Sequence, residues 1–178
     1  MSPNPLADAT GATSVRAPNP VPMQHSASVM ARPPSEQSCA EFFSMLAESQ
    51  RPLIYAGGGV INGGAAYAMR EFATTFGIPV VTTLMGIGAF DTTHPLAMRM
   101  LGMHGTAFAN YAVDDCDFLF ALGSRFDDRV AGVPAKFAKG AKRIAHIDID
   151  ASEINKVKHA SWNHVGLLAD ALVALLEY

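Results

Sequence analysis

Phe118-Leu119-Phe120-Ala121-Leu122 is five apolar residues in a row, closed by Gly123-Ser124. A run this short, with no alternation, reads as a strand buried on both faces, and such strands occur in parallel sheets flanked by helices. The charged cluster Arg125-Phe126-Asp127-Asp128-Arg129 follows it at once, where the strand's carboxyl end would lie. Ligands bind at that end of open α/β sheets. Before the run come an irregular loop, Gly102-Met103-His104-Gly105, and a short helical segment over 106–113. Asp114, Asp115 and Asp117 break that segment and read as a solvated helix end and strand entry. The stretch from Leu101 to Val130 is therefore a binding site in outline.

The rest of the chain repeats the pattern. Ser38-x-x-Glu41 is a capping box for a helix whose apolar residues Cys39, Phe42, Phe43 and Leu46 are spaced i, i+3, i+4, i+7, ending near Ser49. Pro52–Ala56 is a strand running into Gly57-Gly58-Gly59. Asn62 caps a second helix with Ala65, Met69, Phe72, Ala73 and Phe76 on one face, stopped by Gly77 and Pro79. Val80–Thr82 and Arg143–Ile147 are further strands, with short ones just before Leu101 and over His164–Gly166. Leu168–Tyr178 closes the chain as a helix. Four to six strands alternating with helices predict a doubly wound, parallel, Rossmann-like α/β sheet with right-handed crossovers.

Composition narrows the function. A formal charge of −3 exerts no general pull on nucleic acid. No apolar run approaches the ~18 residues of a membrane span. Cys39 and Cys116 sit in apolar faces far apart, which suits reduced thiols and a cytoplasmic setting, and no secretory signal is visible. His94, His146, His159 and His164 lack zinc spacing. No Ser-His-Asp or Cys-His arrangement emerges, so no catalytic residue is assigned. Residues 1–34 carry seven prolines among Ser, Ala, Thr and Asn, the composition of a flexible leader, and residues 35–178 form the folded domain.

Four loops follow strands: Gly57–Gly59, Thr83–Gly86, Gly123–Asp127 with Asp128, and Asp148–Asp150. A parallel sheet gathers all four on one edge. Glycines there let backbone N–H groups approach phosphate oxygens, aided by the positive end of the following helix. Arg125 suits a phosphate or an aromatic ring, and Asp127 or Asp148 suits sugar hydroxyls. His104 reads either as a ligand contact or as a loop histidine satisfied by its neighbours. The nicotinamide fingerprint is absent: G-x-G-x-x-G needs glycine where Asn62 stands, and no acidic residue lies about twenty positions on.

Taken together, R-P-L-I-Y-A-G-G-G from Arg51, G-I-P-V-V-T-T-L-M-G from Gly77, L-G-M-H-G-T-A-F-A-N from Leu101, S-R-F-D-D-R-V from Ser124 and H-I-D-I-D from His146 resemble the central domain of thiamine-diphosphate-dependent enzymes, nearest to the acetohydroxyacid (acetolactate) synthase large subunit of branched-chain amino acid biosynthesis. The resemblance covers roughly residues 31–178. It implies FAD bound in extended form with no redox role in the main reaction. It places Gly57, Gly58 and Gly59 along the cofactor, with Thr83, Leu84, Leu101, Gly102, Met103 and His104 in contact, as well as Gly123, Ser124, Arg125, Phe126 and Asp127. Asp148 and Ile149 fall at the adenosine end, and Asp170 matches a family aspartate although Ala169 replaces the usual glycine before it. Arg129 corresponds to an arginine beside the substrate and inhibitor channel. Full-length members also use thiamine diphosphate and magnesium. The first domain's motifs and the Gly-Asp-Gly of the third are missing from these residues, which implies a chain inactive alone, with other domains or subunits as partners. The alternative is a free-standing nucleotide-binding or subunit-interaction module without catalytic chemistry.

Overall fold

A computed structural model describes residues 32–178. The expected leader, residues 1–34, lies outside the described residues as far as position 31. Strand β4 (Phe118–Leu122) is buried at every position, because it is paired along both edges and packed on both faces. Pro52 to Ala56 of β1 run beside it on one side, and Arg143 to Ile147 of β5 (Arg143–Asp148) on the other. With β2 (Val80–Thr82), β3 (Ala97–Met100) and β6 (Trp162–Val165) they form a six-stranded sheet in the order β3-β2-β1-β4-β5-β6. Every pairing is parallel. The chain builds outward from β1 to β3, returns to place β4 beside β1, and then builds outward the other way. This is the order of the doubly wound dinucleotide folds, and it leaves a crevice where the direction reverses.

Alternation along β4 sorts the core into two layers. Phe118, Phe120 and Leu122 face α1 (Glu36–Ala47), α3 (Ala66–Phe76) and α6 (Leu168–Glu177), while Leu119 and Ala121 face α4 (Ala107–Asp115). Phe42 of α1 is the hub of the first layer. Its ring lies 4.7–6.0 Å from those of Phe43, Phe72, Phe118, Phe120 and Trp162. Cys39 and Cys116 are buried free thiols, one in each layer. No helix among the described residues is long and apolar enough to cross a membrane.

Several local expectations are corrected. Ser35, not Ser38, caps α1 by accepting the Ser38 amide. The carbonyl and hydroxyl oxygens of Ser38 instead accept from the Trp162 indole at 2.9 and 3.0 Å, a contact across 124 positions. Asn62 does not cap the second helix. It ends a separate short helix, α2 (Gly58–Asn62), and α3 starts after Ala65 with no side-chain cap. Gly77 does stop α3, at φ 65°, where a side chain is costly. Helix α4 starts on the Thr106 cap and runs on through Asp114 and Asp115, so Asp117 alone of the three carboxylates lies past its end. Asp117 accepts from the Ser49 hydroxyl and from the amides of Gln50 and Arg51, tying the entry of β1 to the entry of β4.

Candidate functional site

A cleft of about 580 Å³ opens over the carboxyl ends of β1, β2, β4 and β5, at the reversal of strand order. At its floor the glycine loop after β1 presses on the turn after β4. A Cβ on Gly57 would lie 2.1 Å from the Gly123 carbonyl oxygen, and one on Gly59 2.7 Å from the Gly123 Cα. The amides of Gly57 and Gly59 are engaged by Leu122 O and Gly123 O at 2.8 and 3.0 Å. The first requirement for glycine here is thus the contact between two loops. Of the triplet, only Gly58, at the first position of α2, keeps an N–H outside that contact. Because α2 has five residues, its end carries little of the helix field the sequence suggested.

Three further loops make the walls. Thr83 caps a 3₁₀ turn, Leu84–Gly86, by accepting the Gly86 amide at 3.1 Å, and so holds exposed Leu84 and Met85 at the rim. The 101–105 loop is gripped by Asn110 of α4, which accepts from Gly102 N at 2.8 Å and donates to Gly102 O at 3.0 Å. Met103 N donates to Arg129 O, joining this loop to the one after β4. In that loop, ahead of the short helix α5 (Asp128–Ala131), Phe126, at φ 54°, turns inward. Its ring packs 5.3 Å from both Tyr55 and His146, over the small Ala121 that lies between them in register. Arg125 and Asp127 stay at the rim, 3.6 Å apart and well exposed. The Arg129 amide, which donates to Asp127, holds that carboxyl below its usual range.

Beneath the rim, polar atoms gather from three adjacent strands. The Tyr55 hydroxyl, Ser124 Oγ and both ring nitrogens of His146 are buried without a well-formed hydrogen bond. Burial pushes the Tyr55 phenol up to about 12, with Ser124 facing it and lowering it in part. Burial likewise lowers His146, against the opposing charge of Asp148, whose Oδ2 lies 3.8 Å from Nε2. His146 is therefore neutral at pH 7. Asp148 is itself mostly buried, and its Oδ1 accepts from Asp150 N at 2.9 Å.

The sequence-derived residues divide accordingly. Gly57, Gly58, Gly59, Thr83, Leu84, Leu101, Met103, His104, Gly123, Ser124, Arg125, Asp127 and Asp148 line the cleft. Gly102 stands behind its loop on Asn110, Phe126 is core, Ile149 is half exposed one residue past Asp148, and Asp170 sits in the first turn of α6. Among the lining residues, Tyr55, Asn62 and Met100 carry no expectation of ligand contact from sequence, while Met85, Arg129 and Val130 fall in stretches that do. Tyr55 directly precedes the end of a buried strand and carries a polar tip, a signal that could have been used.

The model of the thiamine pyrophosphate (diphosphate) enzyme, central domain, matches residues 39–175. The chain belongs to this family. Among similar proteins, the probable acetolactate synthase 2, chloroplastic, of Oryza sativa subsp. japonica is 50% identical over 144 residues, 81% of this chain and 21% of that protein. The acetolactate synthase 1, chloroplastic, of Zea mays is 49% identical over 144 residues, 81% of this chain and 22% of that protein. The acetolactate synthase large subunit of Parasynechococcus marenigrum is 46% identical over 145 residues, 82% and 23%. The chain thus spans about a fifth of the length of these relatives. The doubly wound sheet and the cleft at its reversal belong to a thiamine pyrophosphate enzyme central domain of the acetolactate-synthase type.

Proposed function

We propose that this central domain binds FAD in the cleft and contributes it to an acetolactate-synthase-like enzyme of branched-chain amino acid biosynthesis. The observation that carries this reading is the order of chemistry along one cleft. Exposed Leu84 and Met85 follow β2, Arg125 follows β4, and Asp148 ends β5, so the sheet order places the arginine between an apolar end and an acidic end. A flat apolar ring, a charged linker and a sugar need that sequence of surroundings. The buried Tyr55 and Ser124 hydroxyls, lining the same cleft without partners, also suit a polar ligand. In this reading Leu84, Met85 and Met103 hold the ring system, Arg125 meets a phosphate, and Asp148 accepts from hydroxyls. The flavin acts there as a structural ligand with no redox role in the main reaction. Thiamine diphosphate and magnesium would be held by other domains, which are the partners of this one.

Titration of the apo-protein with FAD, read by flavin fluorescence, tests the proposal. An arginine hydrogen bond to a charged oxygen is worth about 1.5–3 kcal/mol, so Arg125→Ala should weaken FAD roughly ten- to a hundredfold. Lys142→Ala, away from the cleft, should leave binding unchanged. No saturation at high micromolar FAD would favour a domain that serves subunit contact alone, and equal effects of the two substitutions would mean the ligand sits elsewhere.

A further inference from the structure

Outside the cleft, the edge strand β3 carries an irregularity with a chemical consequence. Val80 pairs with Ala97 but Val81 pairs with Arg99, so Met98 is an extra residue and the ladder is bulged. Arg99 itself has φ 63°, a left-handed conformation that a long side chain rarely adopts. Bulges on edge strands re-aim side chains, and strained backbone of this kind persists where surrounding structure holds it. Here the bulge brings Arg99 to the wall of a second cavity, about 340 Å³, formed with Val80, Thr82, Ile87, Phe90, Ala97 and Met100.

The chemistry of this cavity is one-sided. The Arg99 side chain makes no ion pair or hydrogen bond among the described residues, and neither does the hydroxyl of the mostly buried Thr82. The nearby Asp91 carboxylate is turned instead to the amide and hydroxyl of Thr93, at 2.9 and 2.8 Å. Apart from the Thr92 side chain and Gly88, the remaining walls are aliphatic or aromatic, and no acidic side chain is among them. We propose that this cavity is a binding site for a short aliphatic carboxylate, its charge met by Arg99 and Thr82 and its hydrocarbon part by Val80, Ile87, Phe90 and Met100. The volume lies at the small end of ligand pockets. An amino acid fits less well, because no acidic side chain in the wall meets the charge of an ammonium group. The site shares Met100 with the FAD cleft but has its own charged group, and it does not depend on that reading.

The test uses the ¹⁵N-labelled chain titrated with 3-methylbutanoate, and with 3-methylbutanamide as the neutral analogue of the same shape. Saturable shifts at Thr82, Gly88, Thr92 and Arg99 are expected in the roughly millimolar range open to so small a ligand. The amide should bind about tenfold or more weakly, since it lacks the charge-assisted bond. Arg99→Gly is the decisive variant: glycine accepts the left-handed backbone without strain, so the fold is kept while the guanidinium is lost. It should abolish saturation, and Arg99→Lys should retain part of it. Absence of saturation by about 50 mM, equal response to acid and amide, or undiminished binding by the glycine variant would each overturn the assignment.

Discussion

Gly57 and Gly123 meet backbone to backbone, so the cost of a methyl group there cannot be relieved by rotating a side chain. A Cβ on Gly57 would stand 2.1 Å from a carbonyl oxygen, and the two loops would have to part. Gly57→Ala should therefore cost about 3 kcal/mol or more. Gly64, with φ 64° and open space around it, is the control, and Gly64→Ala should cost only about 1 kcal/mol through its backbone conformation. Urea unfolding of both variants checks this, and similar losses would show that the cleft floor yields. Phe126 makes the complementary point. It stands among the S-R-F-D-D-R-V residues as one more candidate contact, yet a single left-handed φ turns it into the core beneath Arg125 and Asp127. Neighbours in sequence are not neighbours in function here, because the backbone separates them.

At the scale of elements, Asp117 joins α1, β1 and β4 through three hydrogen bonds. Desolvation opposes its ionisation, but the Ser49 hydroxyl and the Gln50 and Arg51 amides outweigh it and bring the carboxyl down to about 2 from 3.8. A depressed carboxylate contributes stability that is present above the unfolded-state value and lost as pH falls through the folded one. The window is therefore from about pH 4 down to about 2. Asp117→Ala should lower stability by about 2 kcal/mol at pH 7, solvent access keeping it below the sum of three charged bonds. The deficit should shrink toward zero near pH 2, as followed by urea unfolding across that range. A deficit that stays constant with pH would assign the loss to packing instead of charge.

For the whole molecule, the position of the cleft follows from the strand order. The sequence contains no Gly-Asp-Gly, the motif expected to begin the magnesium and diphosphate site. The chain by itself, given pyruvate, thiamine diphosphate and magnesium, should form no acetolactate in a colorimetric assay. Steady product formation after removal of any contaminating host enzyme would contradict this.

Local pattern alone determined where most of the strands lie, although β6 runs over Trp162–Val165 and not the expected His164–Gly166. Pro52–Ala56, Val80–Thr82 and Phe118–Leu122 have the limits their apolar runs and flanking glycines, prolines and threonines suggest, because a strand buried on both faces admits few polar residues. The doubly wound class and most of the cleft lining were legible for the same reason: the loops after parallel strands must share one edge. What only the tertiary structure decided rests on distance in sequence. Ser38 gave up its capping role for Trp162, 124 positions away, and Ser35 took it. Tyr55, Ser124 and His146 form a polar floor only because β1, β4 and β5 are adjacent in the sheet. Arg99 reaches its cavity only because one extra residue bulges β3. A single strand's alternation says which residues share a face. Which strand lies alongside, and in what register, is fixed by packing energies summed over both layers of the core.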